Sequence, residues 1–408
     1  MLSLIESLGR RLNLLALFLW APLALVAPRA MHLPLFILAA TSCFSHRFKN
    51  IRLLIQPEWL LLSAFLSWAL ISSQWSLDPG FAVQDWVKLF SILLASASVI
   101  LHCHELSRKE IDLYLKAFIL GGVITLIGII IDRSLGYSLT HFTHRSIALT
   151  YARYITLISL GIWIFLLRLP QSNFKPLMAI VVLLIMACFF WTYEFDAGPV
   201  GLLFGTGLMV MTFLVPRFTS YLLRCGCVLV PIIVILGCGL WMTEGHWQKI
   251  TSFGVHSTYQ QRLEMIDWAS KKIIEKPLGY GFSQTRALSV KDKIKGYDLQ
   301  NDQLTTTTIW EKGTWHLHNG LLQIFLELGV IGFLLIVAII WRLLTKLWKL
   351  NLDRYRLGVM HGYITTLLFI VSVGFGIWQT WWLSTIIMLT ILLSFKVNYE
   401  RQIVSTNL

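Results

Sequence analysis

Two histidines, His316 and His318, stand either side of Leu317 just ahead of the apolar run from Leu321 to Gly332. If that run is a helix, His318 lies at its N-terminus, where the helix dipole disfavours imidazolium and keeps the ring neutral. A neutral imidazole is what general-base chemistry needs. By residue type alone, a histidine at a helix start is more often an interfacial residue than a catalyst, so the chemistry requires partners. His316-Leu317-His318 could also hold a metal, but without a nearby carboxylate the ligand set is thin.

The partners would be cations. Arg262 falls in the first turns of a predicted amphipathic helix. Ser257-Thr258-Tyr259-Gln260-Gln261 reads as a capping box, and Leu263, Ile266, Ala269, Ile273 and Ile274 then recur at helical spacing until Pro277 stops the run. Pro277-Leu278-Gly279-Tyr280-Gly281 follows as a tight turn. The plainer reading is a solvated arginine on a helix lying at the membrane surface. Arg153 is different, because it stands some seven residues into an apolar run, about 10 Å deep at the helical rise. A guanidinium there must face a cavity or a partner, and an intramembrane ion is a functional candidate. Glu327, one or two turns inside its own run, could be a structural partner for it. Lys88 and Lys116 lie near run ends, where their ammonium groups can snorkel.

The elements that position these residues are membrane spans. The chain has 408 residues, 56% hydrophobic and 13% charged, against roughly a quarter charged in a soluble domain. That excludes a soluble enzyme and gives an all-α polytopic membrane protein. Apolar runs bounded by charge or Pro/Gly fall near 12–28, 31–45, 58–75, 86–101, 113–131, 146–168, 176–193, 198–215, 222–241, 318–341, 358–376 and 380–395. This predicts twelve transmembrane helices: nine over 1–241, a long loop with short helices over 242–317, then three and a tail over 318–408. The first run is expected to be retained, since Val26-Ala27-Pro28 offers no small-x-small cleavage site.

With both termini cytoplasmic, 18 Lys and Arg, from Arg10 to Arg401, fall on the inner side, and the short outer loops hold only Arg29, Arg133 and Arg145. This asymmetry sets the orientation and puts 242–317 outside. It also accounts for the net charge of +13 without nucleic acid. The six cysteines lie in or beside apolar segments, so no disulfide framework is implied. Cys225-Gly226-Cys227 has one intervening residue rather than two and reads as inert. No internal repeat is visible, which disfavours a transporter built from two matched halves.

Taken together, the motifs resemble the bacterial O-antigen ligase family, which shares its fold with the O-antigen polymerases. His318-Asn319, nine residues, Gly329, two residues and Gly332 look like the ligase signature. Arg262 with Trp268, followed by Pro277-Leu278-Gly279-Tyr280-Gly281, is similar to the family's Arg helix and Pro-x-Gly-x-Gly turn. Weaker matches are Trp75-Ser76-Leu77-Asp78-Pro79 and Gly376-Ile377-Trp378-Gln379-Thr380-Trp381-Trp382. The likeness touches the chain from about 60 to 390. One departure is plain: many members carry an arginine at the outer start of the span that here begins Phe195-Asp196-Ala197-Gly198-Pro199, and this sequence has none there.

The resemblance implies a membrane glycosyltransferase of the bacterial inner membrane. It would move a glycan from undecaprenyl diphosphate, a polyprenyl carrier, onto a sugar hydroxyl of lipid A-core at the periplasmic face. His318 would be the base. Arg262 and, in place of the missing family arginine, Arg153 would clamp the diphosphate, with His316, Asn319, Trp268 and Glu327 in support. Arginine suits a bidentate phosphate contact better than lysine. A single inverting displacement follows. Metal-using transferases of lipid-linked sugars resemble one another in an Asp-x-Asp or similar motif in the first outer loop. Here that loop is little more than Pro28-Arg29-Ala30-Met31, and no Asp-x-Asp occurs in the chain, so neither metal nor cofactor is expected. Two other functions fit less well: a polymerase joining lipid-linked repeat units, and, from another class, a transporter of lipid-linked sugars. The transporter would predict polar residues through the midplane of several spans.

Overall fold

Within lipid, a spanning segment must satisfy its own backbone groups, so long apolar runs fold as helices. The computed structural model describes residues 2–45, 51–103, 105–136, 147–169, 172–193, 197–252, 257–292, 294–300, 303–308 and 316–406. The apolar body before the loop forms α1 (Leu2–Val26), α2 (Leu33–Ser45), α3 (Pro57–Ser72), α4 (Pro79–Cys103), α5 (Arg108–Ser134), α6 (Ile147–Leu166), α7 (Lys175–Trp191), α8 (Ala197–Leu214) and α9 (Pro216–Trp241). The stretch 242–317 contributes α10 (Glu244–Ser252), α11 (Ser257–Glu275) and α12 (Thr285–Asp292), then strands β1 (Lys295–Gln300) and β2 (Gln303–Thr308). The chain ends in α13 (Gly320–Lys349), α14 (Arg354–Val373) and α15 (Thr380–Thr406).

A helix thus stands at each of the twelve expected apolar runs. Among the described residues, seven of them, α1, α4, α5, α8, α9, α13 and α14, are long and apolar enough to cross a membrane. The others are shorter in their apolar part, such as Lys175–Trp191 in α7 and Thr380–Ser394 in α15. The protein is a multi-pass membrane protein, and its apolar body is helical as expected. The loop adds something the sequence reading did not anticipate, an antiparallel hairpin with Lys295 opposite Thr308 and Gln300 opposite Gln303. Its second strand is a run of threonines, whose β-branched side chains suit a pleated backbone.

Packing divides the interior. The main cluster is built by α1, α2, α4–α8, α14 and α15 around the fully buried Trp20, Trp163 and Trp382. A second joins α9, α11, α12 and the start of α13 through Ile235, Ala269, Ile273, Leu288, Leu317 and Leu326. A third packs Phe65 and Ala69 of α3 and Leu89 of α4 against Phe282 and Ile324, Leu328 and Ile339 of α13. The second and third clusters meet on α13, so its first turns are held from several sides. Lys88 and Lys116 pair with Asp85 and Asp112 at 2.8 Å each, an alternative to snorkelling alone.

Candidate active site

Two glycine-bearing motifs far apart in sequence form one backbone joint. Within α13, Gly329 has φ 65° and ψ −166°, which is not helical, so the helix is broken there. The carbonyls just before such a break need other donors. Tyr280 N–H supplies Leu326 O at 3.0 Å, Gly281 N–H supplies Glu327 O at 2.8 Å, and the Trp68 indole N–H supplies Leu328 O at 2.8 Å. Beyond the break, Val330 N–H returns a bond to Pro277 O at 2.8 Å. A Cβ on Gly279 would lie 2.4 Å from Gly329 N, and one on Gly329 would lie 2.2 Å from the Leu278 carbonyl carbon. Only hydrogen fits between these backbones, and both residues also need positive φ.

The segment after α3 closes on the same joint. A Cβ on Gly281 would lie 2.3 Å from Ser76 Oγ. Phe282 N–H donates to Ser72 Oγ at 3.1 Å, and the Gln284 amide accepts from Asp78 N–H at 2.9 Å. Ser283, at φ 57°, donates from Oγ to Asp85 Oδ2 at 2.6 Å. The Trp75–Pro79 and Pro277–Gly281 motifs and the Gly329 break are therefore pieces of one scaffold beneath the first turns of α13.

His318 is presented from that scaffold. Asn319 is the N-cap of α13, its Oδ1 accepting the Leu322 N–H at 3.0 Å. His318 immediately before it takes φ 53°, which turns the chain sharply into the helix. The ring Nδ1 lies 2.5 Å from the carbonyl oxygen of Gly374, between α14 and α15. A carbonyl can only accept, so Nδ1 carries the proton and Nε2 of a neutral ring keeps its lone pair. Burial holds the proton affinity of His318 below the ordinary histidine value, the charge of Arg262 adds to that, and the Gly374 bond works against it. His316 lies beside it with ring centroids 4.3 Å apart. Burial, helped by the His318 charge, pushes His316 down to about 3. Its ring packs on Gly376, where a Cβ would lie 2.6 Å from His316 Cβ.

Arg262 reaches this histidine along α11. Residues 262, 266, 269 and 273 share one helical face by their spacing, and Ala269 and Ile273 of that face are buried against α9, α12 and α13. The face is turned from the expected one, since Leu263 and Ile274 are 37% and 41% exposed while Glu264 and Asp267 are buried. Gln260 and Lys271 partner those two carboxylates, at 3.0 and 2.8 Å, which allows polar residues inside. At the start of the face, Arg262 is close enough to act electrostatically on His318, and its guanidinium carbon lies 6.0 Å from the Tyr259 ring centroid. Trp268 donates to Asp292 Oδ2 at 3.1 Å, tying α11 to α12. Ser257 and Thr258 open α11, but the side chains of these two members of the expected capping box lie outside the described residues.

Glu327 is not paired with Arg153. Its buried carboxylate accepts from Ser283 N–H at 2.9 Å, Thr285 N–H at 3.0 Å, Thr285 Oγ at 2.5 Å, Gln323 Nε2 at 3.1 Å and the Trp378 indole at 2.5 Å. Arg153, on α6, instead lies over the Trp381 ring at 5.3 Å. Trp381 meets Phe375 edge to face at 4.7 Å, and Phe375 follows the Gly374 that holds His318. Arg262 is thus linked to the 374–379 segment through His318 and Gly374, and Arg153 through Trp381 and Phe375. Asp196, where the family arginine is missing, lies outside the described residues.

The sequence reading overlooked Gly374, Trp68, Asp85 and Ser283. A carbonyl partner such as that of Gly374 has no side-chain signature, and Trp68 and Ser283 are ordinary residue types for their segments. Asp85, three residues before Lys88, was the one with a visible signal, an acid near the start of an apolar run.

Residues 145–337 match the family model described as O-antigen ligase, a stretch that holds Arg153, Arg262, His318 and Glu327. Among curated proteins, a candidate polysaccharide ligase of Rickettsia typhi is 24% identical over 344 residues, covering 82% of this chain and 79% of the relative. Counterparts with the same description from Rickettsia conorii and Rickettsia bellii are 24% and 25% identical, covering 84% and 82% of this chain and 82% and 79% of theirs. No solved structure matches significantly. With the family match covering Pro277–Gly281 and the Gly329 break, and relatives of like description agreeing along most of both chains, this chain is similar to the O-antigen ligase family.

Proposed function

We propose that this protein transfers a glycan from undecaprenyl diphosphate to a sugar hydroxyl of lipid A-core, with His318 as base. In this reading it lies in the bacterial inner membrane with twelve spans, both termini inside, and 242–317 in the periplasm. The observation that carries the chemistry is the bond from His318 Nδ1 to Gly374 O beside the Arg262 charge. It leaves Nε2 as the lone-pair nitrogen of a ring that burial keeps neutral.

The acceptor hydroxyl gives its proton to Nε2 as its oxygen attacks the anomeric carbon. The bond from that carbon to the diphosphate oxygen breaks, inverting the configuration, and the diphosphate leaves on its lipid. The charge growing on the leaving group is met by Arg262 and Arg153, whose planar forks match phosphate oxygens. Diphosphate is already a good leaving group, so orientation and proton removal are what the enzyme must supply. With two arginines to offset the charge, the reaction is proposed to need no metal.

The test is an envelope-polysaccharide gel of the host with and without the gene, run beside an assay of glycan still attached to polyprenyl diphosphate. Long lipid-linked glycan accumulating over bare lipid A-core is the expected result. Core bearing a single repeat unit would instead make the protein a polymerase, with the same site acting on a different acceptor. Unchanged lipopolysaccharide and no accumulated lipid-linked glycan would overturn both.

A further inference from the structure

Glu327 does no chemistry in the proposed reaction, yet its carboxylate is the meeting point of five donors. Three converge on Oε1, from Thr285 N–H, Thr285 Oγ and Gln323 Nε2, and two on Oε2, from Ser283 N–H and the Trp378 indole. Two of these lead to the segment that holds His318. Trp378 belongs to it directly. Gln323, which donates to Glu327, also accepts from Ile377 N–H at 3.4 Å through its own oxygen. The same segment supplies the Gly374 carbonyl to His318 Nδ1 and packs Gly376 against His316. The other three donors anchor Glu327 to the turn that closes on the Gly329 break.

We infer that Glu327 is a positioning residue for the base: by gripping Trp378 and Gln323 it fixes the Gly374–Gln379 segment, and so the tautomer and aim of His318. This rests on His318 being the base. Only an acceptor suits the place. A glutamine would put an NH2 group against two or three N–H and O–H donors, whichever way its amide turned. Buried polar groups gathered on one centre hold several segments in register only while every member is satisfied.

The test compares Glu327→Gln and Trp378→Phe with the unaltered full chain, reconstituted in lipid, over a range of pH. Phenylalanine keeps a ring beside Phe65 and Phe282, which lie 6.3 and 4.8 Å from Trp378, while removing the indole donor together with part of the ring. Misplacing a base by a fraction of an ångström should lower kcat about 10- to 100-fold while KM for the lipid-linked donor stays within about twofold. Losing the Gly374 bond, which supports protonation of His318, should also move the acid limb of the kcat profile to lower pH. Glu327→Gln should show both effects, and Trp378→Phe should show them more weakly, since the Gln323 link remains. Wild-type kcat, or a fall in kcat with the acid limb unmoved, would overturn the inference. If Glu327→Gln does not reach the membrane, Trp378→Phe decides on the same readouts. His318→Ala is assayed alongside: if it keeps full transfer, the base assignment itself falls, whatever the other two variants do.

Discussion

His318 Nδ1 and the carbonyl oxygen of Gly374 lie 2.5 Å apart across 56 residues of chain. One is presented by the capped start of α13, the other by the turn between α14 and α15, and neither alone would fix the ring. Together with the φ of 53° at His318, the bond leaves one nitrogen for chemistry. Every part of the proposed reaction depends on that choice of nitrogen.

The first prediction concerns pH. A base works in its neutral form, and His318 is held below the ordinary histidine value, about 6.5. Activity should therefore be flat across neutral pH and fall only once the pH drops through that lowered value. A kcat/KM profile of the free enzyme checks it, and an acid limb at or above the ordinary value would contradict it. His318→Ala should lose about 10²- to 10⁴-fold in turnover, the usual worth of a positioned base, with the protein still present in the membrane fraction.

Arg262 separates two roles by two substitutions. Arg262→Lys keeps the charge beside His318 but loses the fork, so turnover should fall sharply with the acid limb in place. Arg262→Gln removes the charge that lowers His318, so its acid limb should shift to higher pH as well. Near-normal turnover in the lysine variant would make Arg262 a surface charge.

How much of this was legible follows from what each residue advertises. The spacing from His318-Asn319 to Gly329 and Gly332 stands out in an apolar run, and in the structure His318 is held by the Gly374 carbonyl at the helix start, Asn319 is the N-cap and Gly329 the helix break. The turn Pro277–Gly281 was legible as a turn, but its docking on Gly329 was not, because backbone pairing across some 50 residues leaves no periodic trace. Glu327 invited pairing with Arg153 by charge. Five nearby donors satisfy it instead, and hydrogen-bond donors on the backbone are invisible in a sequence. The apolar face of α11 was misjudged by about one residue, since Glu264 and Asp267 are buried with partners that hydropathy cannot foresee. The hairpin was missed because a threonine-rich strand is too polar to register as an element between membrane helices.

The joint makes a stability prediction. Gly279→Ala or Gly329→Ala forces a Cβ into backbone at 2.4 or 2.2 Å and strains a positive φ, which costs about 1–3 kcal/mol for the dihedral before any clash. Both variants should lower the melting temperature and membrane yield of the protein. Gly128→Ala, where a Cβ would meet nothing within 4 Å, should be neutral. Equal behaviour of all three in a thermal-melt series would show that the break in α13 is not braced as described.

Arg153 gives the last prediction, because its surroundings separate charge from geometry. Its guanidinium lies over Trp381 at 5.3 Å, and an ammonium on a shorter reach could keep that stacking only in part. If Arg153 meets the diphosphate, Arg153→Ala should depress kcat/KM for the lipid-linked donor while leaving the acid limb set by His318 unchanged. Arg153→Lys should recover part of the loss. Trp381→Leu removes the ring that braces the guanidinium, so it should weaken donor use in the same direction without changing the charge count. Donor kinetics of the three variants in reconstituted membranes check this. Wild-type kcat/KM in Arg153→Ala would confine the diphosphate contacts to Arg262 and leave Arg153 as a half-buried cation matched to its aromatic neighbour.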